Sequence, residues 1–118
     1  MIIKRINSEC DGLGLELAIA EPHGEIKAIV QFSHGMSEHK ERYFDFMNFL
    51  SGHGYLCVIH DHRGHGKSVK SAEDLGYFYT DDYKFIVRDM QQVTRYIKDR
   101  YREVPLYVFS HSMGTLVA

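Results

Sequence analysis

Leu106-Tyr107-Val108-Phe109-Ser110-His111-Ser112-Met113-Gly114 joins a short apolar run to a cluster of small and polar residues. Pro105 stands just before it and breaks any helix arriving from upstream. The run reads as a buried strand, residues 110–114 as a tight turn, and Thr115 as the start of a helix. A buried strand that turns sharply into a helix is the connection of an open α/β sheet, and the rest of the chain can be placed around it.

Upstream, residues 81–102 carry Tyr83, Ile86, Val87, Met90, Val93, Ile97 and Tyr101 on one stripe, which predicts a helix. Asp81 and Asp82 stand at its positive end. Residues 55–60 are a continuous apolar run, as expected of a strand covered on both faces. Tyr43, Phe46, Met47 and Leu50 have helical spacing within 39–51, with Gly52 and Gly54 to end that helix. Residues 26–32 read as a strand, and residues 2–7 and 13–20 as a hairpin around Asp11-Gly12. The order is β-β-β-α-β-α-β-(α), an α/β fold with a mostly parallel sheet and helices on both faces. Ligands in such sheets bind beyond the carboxyl ends of the strands. Three loops leave those ends: 33–40, 61–71 and 110–114.

Composition narrows the function classes. The chain of 118 residues fits one domain, with 44% apolar and 25% charged residues. A net charge of −2 argues against nucleic acid as a partner. The N-terminus lacks a signal-peptide pattern, and no stretch is apolar enough to span a membrane. Cys57 reads as a small buried hydrophobe and Cys10 as a turn residue, so no disulfide framework is expected. A cytoplasmic protein is the expectation.

Chemistry concentrates in the three loops. Ser110-His111-Ser112-Met113-Gly114 is a variant of the G-x-S-x-G elbow, in which a strained turn lifts a serine Oγ clear of the sheet. Ser110 replaces the first glycine and is small enough for that turn. Ser112 is therefore the candidate nucleophile. Gly35, after His34, lets the backbone turn so that the next N–H points into the site. The N–H groups of Met36 and Met113 are candidates to hold an oxyanion. Taken alone, His34-Gly35 reads better as a loop glycine beside a solvent-facing histidine. Glu38, His39, Arg42 and Tyr43 read as a solvated helix start that shapes this loop.

Asp61-His62-Arg63-Gly64-His65-Gly66-Lys67-Ser68 is not a phosphate-binding loop, because Asp61 occupies the position of that motif's first glycine. His60, His62 and His65 have an H-x-H-x-x-H spacing similar to that of metallo-β-lactamase-type hydrolases. Gly64 stands where that family's second-metal aspartate belongs, which weighs against a metal.

Four segments together resemble the α/β-hydrolase fold, and within it the monoacylglycerol lipase and lysophospholipase-like, or serine aminopeptidase-like, group. They are His34-Gly35-Met36-Ser37-Glu38-His39 with Arg42-Tyr43, Gly54-Tyr55, Asp61 to Ser68, and His111-Ser112-Met113-Gly114. The match runs from about residue 13 to Ala118 and covers the N-terminal half of that fold. The resemblance implies Ser112 as nucleophile and Met36 and Met113 as oxyanion donors. His34, Gly35, Asp61, Arg63, Gly64, Gly66, Ser68, His111 and Gly114 are then structural residues around the site.

It also implies hydrolysis of carboxylic esters of apolar acyl groups, on a lipid-like or small ester substrate, with no metal or organic cofactor. The fold's triad runs Ser, then Asp or Glu, then His. No acid or base of that triad is expected within these residues, and His34 is the nearest alternative base. The chain is expected to be a single incomplete domain, without the cap and the later strands, and inactive alone. Its strand at 106–109 is expected to associate with a second copy or with a C-terminal half. The alternative is a non-catalytic half-domain that associates through the same open edge.

Overall fold

The computed structural model describes residues 1–111. Ser112, Met113, Gly114 and the helix expected from Thr115 lie outside the described residues. Five strands form one sheet: β1 (Ile2–Asn7), β2 (Gly14–Ala20), β3 (Ala28–Ser33), β4 (Tyr55–His60) and β5 (Leu106–Ser110), in the order β1-β2-β4-β3-β5. β4, β3 and β5 run parallel, and β2 and β1 extend the sheet antiparallel. Among the described residues two α-helices, α1 (Phe44–Ser51) and α2 (Lys84–Arg100), lie on opposite faces.

Strand alternation sorts the core into two layers. Leu17, Ile19, Ile29, Leu56 and Val58 pack with Val93 and Ile97 of α2. Ala18, Ala20, Phe32, Cys57 and Ile59 pack with Met47 of α1. β4 is paired on both sides and covered on both faces, so Leu56 to His60 are all buried. That is the physical basis of its unbroken apolar run. Burial pushes the Cys57 thiol up to about 12, so it stays a protonated apolar filler.

The element order matches the sequence reading, with three local differences. The first helix opens as a single 3₁₀ turn, Lys40–Tyr43, before α1. The second is shorter than 81–102: Asp82 Oδ1 accepts the Lys84 N–H at 3.0 Å, which leaves Asp81 and Asp82 ahead of α2. The strand at 106–109 has the open edge expected of it, but its apolar run, read as buried, is exposed. Tyr107, Val108 and Phe109 are 62%, 47% and 41% exposed. A strand is buried only with a neighbour on each edge and a layer on each face. Among the described residues, β3 is the sole strand paired with β5.

Candidate active site

Parallel pairing brings the carboxyl ends of β3, β4 and β5 to one edge, with Phe32 opposite Ile59 and Ser33 opposite Ser110. The three loops singled out from the sequence therefore start side by side. The Ser33 carbonyl accepts the His111 N–H at 3.2 Å, so the ladder persists to the residue before Ser112.

The loop after β3 is ordered by His34, which is fully buried and not solvent-facing. His34 Nε2 accepts the His62 N–H at 2.9 Å. An amide can only donate, so the ring proton resides on Nδ1, which donates to the Gly35 carbonyl at 2.8 Å. The Glu38 N–H also donates to that carbonyl, at 3.2 Å. Gly35 C=O and Met36 N–H share one trans peptide plane and point in opposite directions. Fixing the carbonyl thus aims the Met36 N–H away from His34, and among the described residues no acceptor takes it. Ser37 completes the turn at φ 62°, a left-handed conformation uncommon for a residue with a side chain. Both nitrogens of His34 are engaged, so neither is left to act as a base. Burial lowers its pKa, which keeps the ring neutral and able to accept from His62.

The loop after β4 is organised around two buried charges. Asp61 is inaccessible to solvent, and its carboxylate accepts the backbone N–H groups of Lys40 (2.7 Å) and Lys67 (3.0 Å). It also accepts the Lys40 ammonium at 2.8 Å. The same ammonium reaches Glu16 on β2 and Glu41, so one buried lysine ties β2, the 3₁₀ turn and the Asp61 loop together. Burial opposes its charge, but Asp61, Glu16 and Glu41 outweigh burial and raise its pKa. The Glu16, Glu41 and Asp61 oxygens lie within 4.8 Å of one another, a spacing that would suit a cation. Lys40 Nζ is that cation.

Arg63 is the second charge and is likewise fully buried. Its guanidinium contacts Asp89 of α2 at 2.8 Å and the Asp11 carboxylate at 2.9 and 3.0 Å. It donates further to Ser8 Oγ at 3.2 Å and to the Phe78 carbonyl at 2.9 Å. The hairpin, α2 and the 61–78 loop are thereby joined. Burial works against the charge, and the hydrogen bonds that Arg63 donates to Asp11 and Asp89 more than restore it, raising the pKa. Gly64 and Gly66 both take positive φ, 77° and 50°. A Cβ on Gly64 would lie 2.5 Å from the Tyr77 carbonyl oxygen, and one on Gly66 would lie 2.4 Å from Asp61. Ser68 Oγ accepts the Glu16 N–H at 3.0 Å.

Four buried histidines line the inner side of these loops. The His34 and His62 rings are 4.4 Å apart, His34 and His65 5.2 Å, and His60 and His62 4.9 Å. His62 Nε2 lies 3.1 Å from Ser33 Oγ, and His65 Nδ1 donates to the Arg63 carbonyl at 3.1 Å. Their nitrogens do not converge on a common point among the described residues. Burial lowers His62 well below its ordinary value and pushes His60 down to about 3, so both are neutral.

Of the residues picked out from the sequence, His34, Gly35, Asp61, Arg63, Gly64, Gly66 and Ser68 gather in these two loops. Met36 borders a cleft of about 460 Å³ between them, which Leu75 and Phe78 also line. His111 stands at the end of β5, its Nδ1 3.5 Å from Glu38 Oε1. Ser112, Met113 and Gly114 are outside the described residues. Lys40, Glu16, Asp11 and Asp89 escaped the sequence reading. Nothing local marks them, because each is an ordinary charged residue until folding brings its partner from a distant segment.

Comparison with known proteins fits this geometry. The family model of the serine aminopeptidases, S33, matches residues 24–118. Mouse monoglyceride lipase is 34% identical over 108 residues, 92% of this chain and 34% of its own. A monoglyceride lipase homolog of monkeypox virus is 39% identical over 92 residues, 78% of this chain and 32% of its own. The chain thus spans about a third of the length of these curated relatives. Among solved structures, a thermostable carboxyl esterase from Bacillus coagulans superposes with a TM-score of 0.91 at 26% identity, over 99% of this chain and 38% of the esterase. A soluble variant of the monoglyceride lipase from Saccharomyces cerevisiae gives 0.81 at 23% identity, over 96% of this chain and 36% of the lipase. A mixed sheet flanked by helices, the ordered loops at its carboxyl edge and the family match across most of its length agree: this chain is a member of the serine aminopeptidase S33 family of α/β-hydrolases.

Proposed function

We propose that the protein containing this chain hydrolyses carboxylic esters of apolar acyl groups through an acyl-enzyme on Ser112. The observation that carries this reading is the orientation of the Met36 N–H, set by the two hydrogen bonds to Gly35 C=O, beside the strand that leads into Ser112. Ser112 attacks the ester carbonyl, and the carbonyl oxygen becomes an oxyanion held by the N–H groups of Met36 and Met113. The alcohol leaves with a proton, and water then releases the acid from Ser112. The base and acid of the triad belong to the part of the relatives' length that this chain does not span. The names of the relatives, monoglyceride lipases and lysophospholipases, favour a lipid-like ester as substrate. A cytoplasmic setting suits two free cysteines.

On this reading residues 1–118 alone form an incomplete domain with little or no turnover, because Ser112 lacks its base. The open edge of β5 is then covered by a second copy or by the remainder of the fold. A non-catalytic half-domain that associates through this edge is the second reading, favoured by the exposure of Tyr107, Val108 and Phe109. Fluorophosphonate labelling of the full-length gene product separates the two. Labelling that disappears in Ser112→Ala supports the hydrolase, and labelling that survives the substitution removes it.

A further inference from the structure

We propose that Glu38 is a positioning residue that clamps the oxyanion loop to the strand end carrying the nucleophile; this rests on the hydrolase reading above. Its side chain is 11% exposed and makes four directed contacts. Oε1 accepts the Gly35 N–H at 2.6 Å and the Tyr43 O–H at 2.7 Å, and faces His111 Nδ1 at 3.5 Å. Oε2 pairs with Arg42 Nε at 2.7 Å.

The contacts have a geometric consequence. Gly35 N–H belongs to the peptide before Gly35, and Gly35 C=O to the peptide after it. The Glu38 carboxylate holds the first, while the Glu38 N–H and His34 Nδ1 hold the second. Both peptides flanking Gly35 are therefore immobilised, and the Met36 N–H is carried on the second. Glycine is the residue with most freedom at this point, so these bonds offset its flexibility. The contact with His111 extends the restraint to the residue preceding Ser112.

A carboxylate close to a developing oxyanion is unfavourable unless its charge is spent. Burial by itself would raise the Glu38 pKa. The hydrogen bonds from Tyr43 and Gly35, with the charge of Arg42, outweigh burial and hold the carboxyl below its usual range. The negative charge is thus committed to the Gly35 N–H, the Tyr43 hydroxyl and the Arg42 guanidinium.

The test uses the full-length gene product with two substrates of one acyl chain, an aryl ester and a glyceryl ester. Glu38→Ala is expected to lower kcat by about 10²-fold, the usual effect of a lost oxyanion donor, with KM within about threefold. The loss is expected to be the same for both esters, because the oxyanion is common to them. Glu38→Gln keeps an acceptor oxygen for Gly35 and Tyr43 and is expected to recover kcat to within about tenfold of the parent. Should Glu38→Ala not fold, Glu38→Gln and Tyr43→Phe carry the test, each with a few-fold loss in kcat shared by both esters. A kcat unchanged in Glu38→Ala overturns the proposal, and so does a loss confined to the glyceryl ester, which would make Glu38 a substrate contact. Either result in an enzyme whose labelling still requires Ser112 leaves the hydrolase reading standing, whereas labelling that survives Ser112→Ala removes that reading itself.

Discussion

The ammonium of Lys40 lies 2.8 Å from the Asp61 carboxylate, and neither side chain is reached by solvent. Removing one member leaves the other as an uncompensated buried charge, which typically costs about 3–5 kcal/mol. Lys40→Met is expected to destabilise the fold by that order. Lys40→Met combined with Asp61→Asn is expected to lose less than the sum of the two single changes. Urea unfolding of the four proteins gives the coupling, and strict additivity would contradict a direct buried pair.

Gly66 and Gly12 separate backbone strain from steric conflict. Both have positive φ, 50° and 78°. A Cβ at Gly12 meets nothing within 4 Å, whereas one at Gly66 would lie 2.4 Å from Asp61. Gly12→Ala is expected to cost about 1 kcal/mol, the penalty of the left-handed region alone. Gly66→Ala is expected to cost at least about twice that, since it must also displace a carboxylate held by three donors. Equal costs in thermal unfolding would count against a specific Gly66–Asp61 contact.

Acid is expected to destabilise the chain from about pH 6.5 downward. His34, His60 and His62 have pKa values lowered by burial, to about 3 for His60. The unfolded chain binds protons at these sites near pH 6.5, where the folded chain does not. Each therefore removes up to about 1.4 kcal/mol of stability per pH unit below that point. Asp11, Glu38 and Glu41, whose carboxyl pKa values are lowered, contribute stability at neutral pH that is lost as the pH falls further. The two effects have the same sign. Stability measured from pH 7.5 to 5 should fall steeply, and His60→Leu should flatten that slope. A profile independent of pH in this range would refute the neutral buried cluster.

Association of residues 1–118 is expected to depend on β5. Val108 is 47% exposed on the outermost strand, and Phe109 rests against Phe32 and Phe46 at ring distances of 5.2 and 5.5 Å. An unpaired apolar edge recruits another strand, and a lysine there opposes it. Sedimentation velocity should detect dimers or larger species in the parent, shifted towards monomer by Val108→Lys. A parent that remains monomeric at high concentration would contradict the open-edge reading.

Much of this organisation was legible before folding, and the reasons differ by element. β4 announced itself because a strand covered on both faces must be apolar throughout, and Leu56 to Ile59 are. α2 was evident from its stripe, since Ile86, Met90, Val93 and Ile97 recur at helical spacing and are all buried. The loops holding His34-Gly35 and Asp61 to Ser68 stood out because glycines and charged residues interrupt the pattern directly after strands. The open edge of β5 followed from the resemblance, which places further strands beyond it, and not from its own residues, because Leu106 to Phe109 would read the same in the middle of a sheet or at its edge.

Local pattern therefore determined the element order, the α/β class and the loops at which chemistry gathers, since periodicity and turn residues act over a few neighbouring positions. Tertiary structure alone decided which charges those loops would use. Lys40 meets Glu16 and Asp61 from 24 and 21 residues away, and Arg63 meets Asp11 across 52. Each buried charge is tolerable only when folding delivers its counter-ion. That delivery depends on how the strands are ordered in the sheet, which no short window of sequence contains.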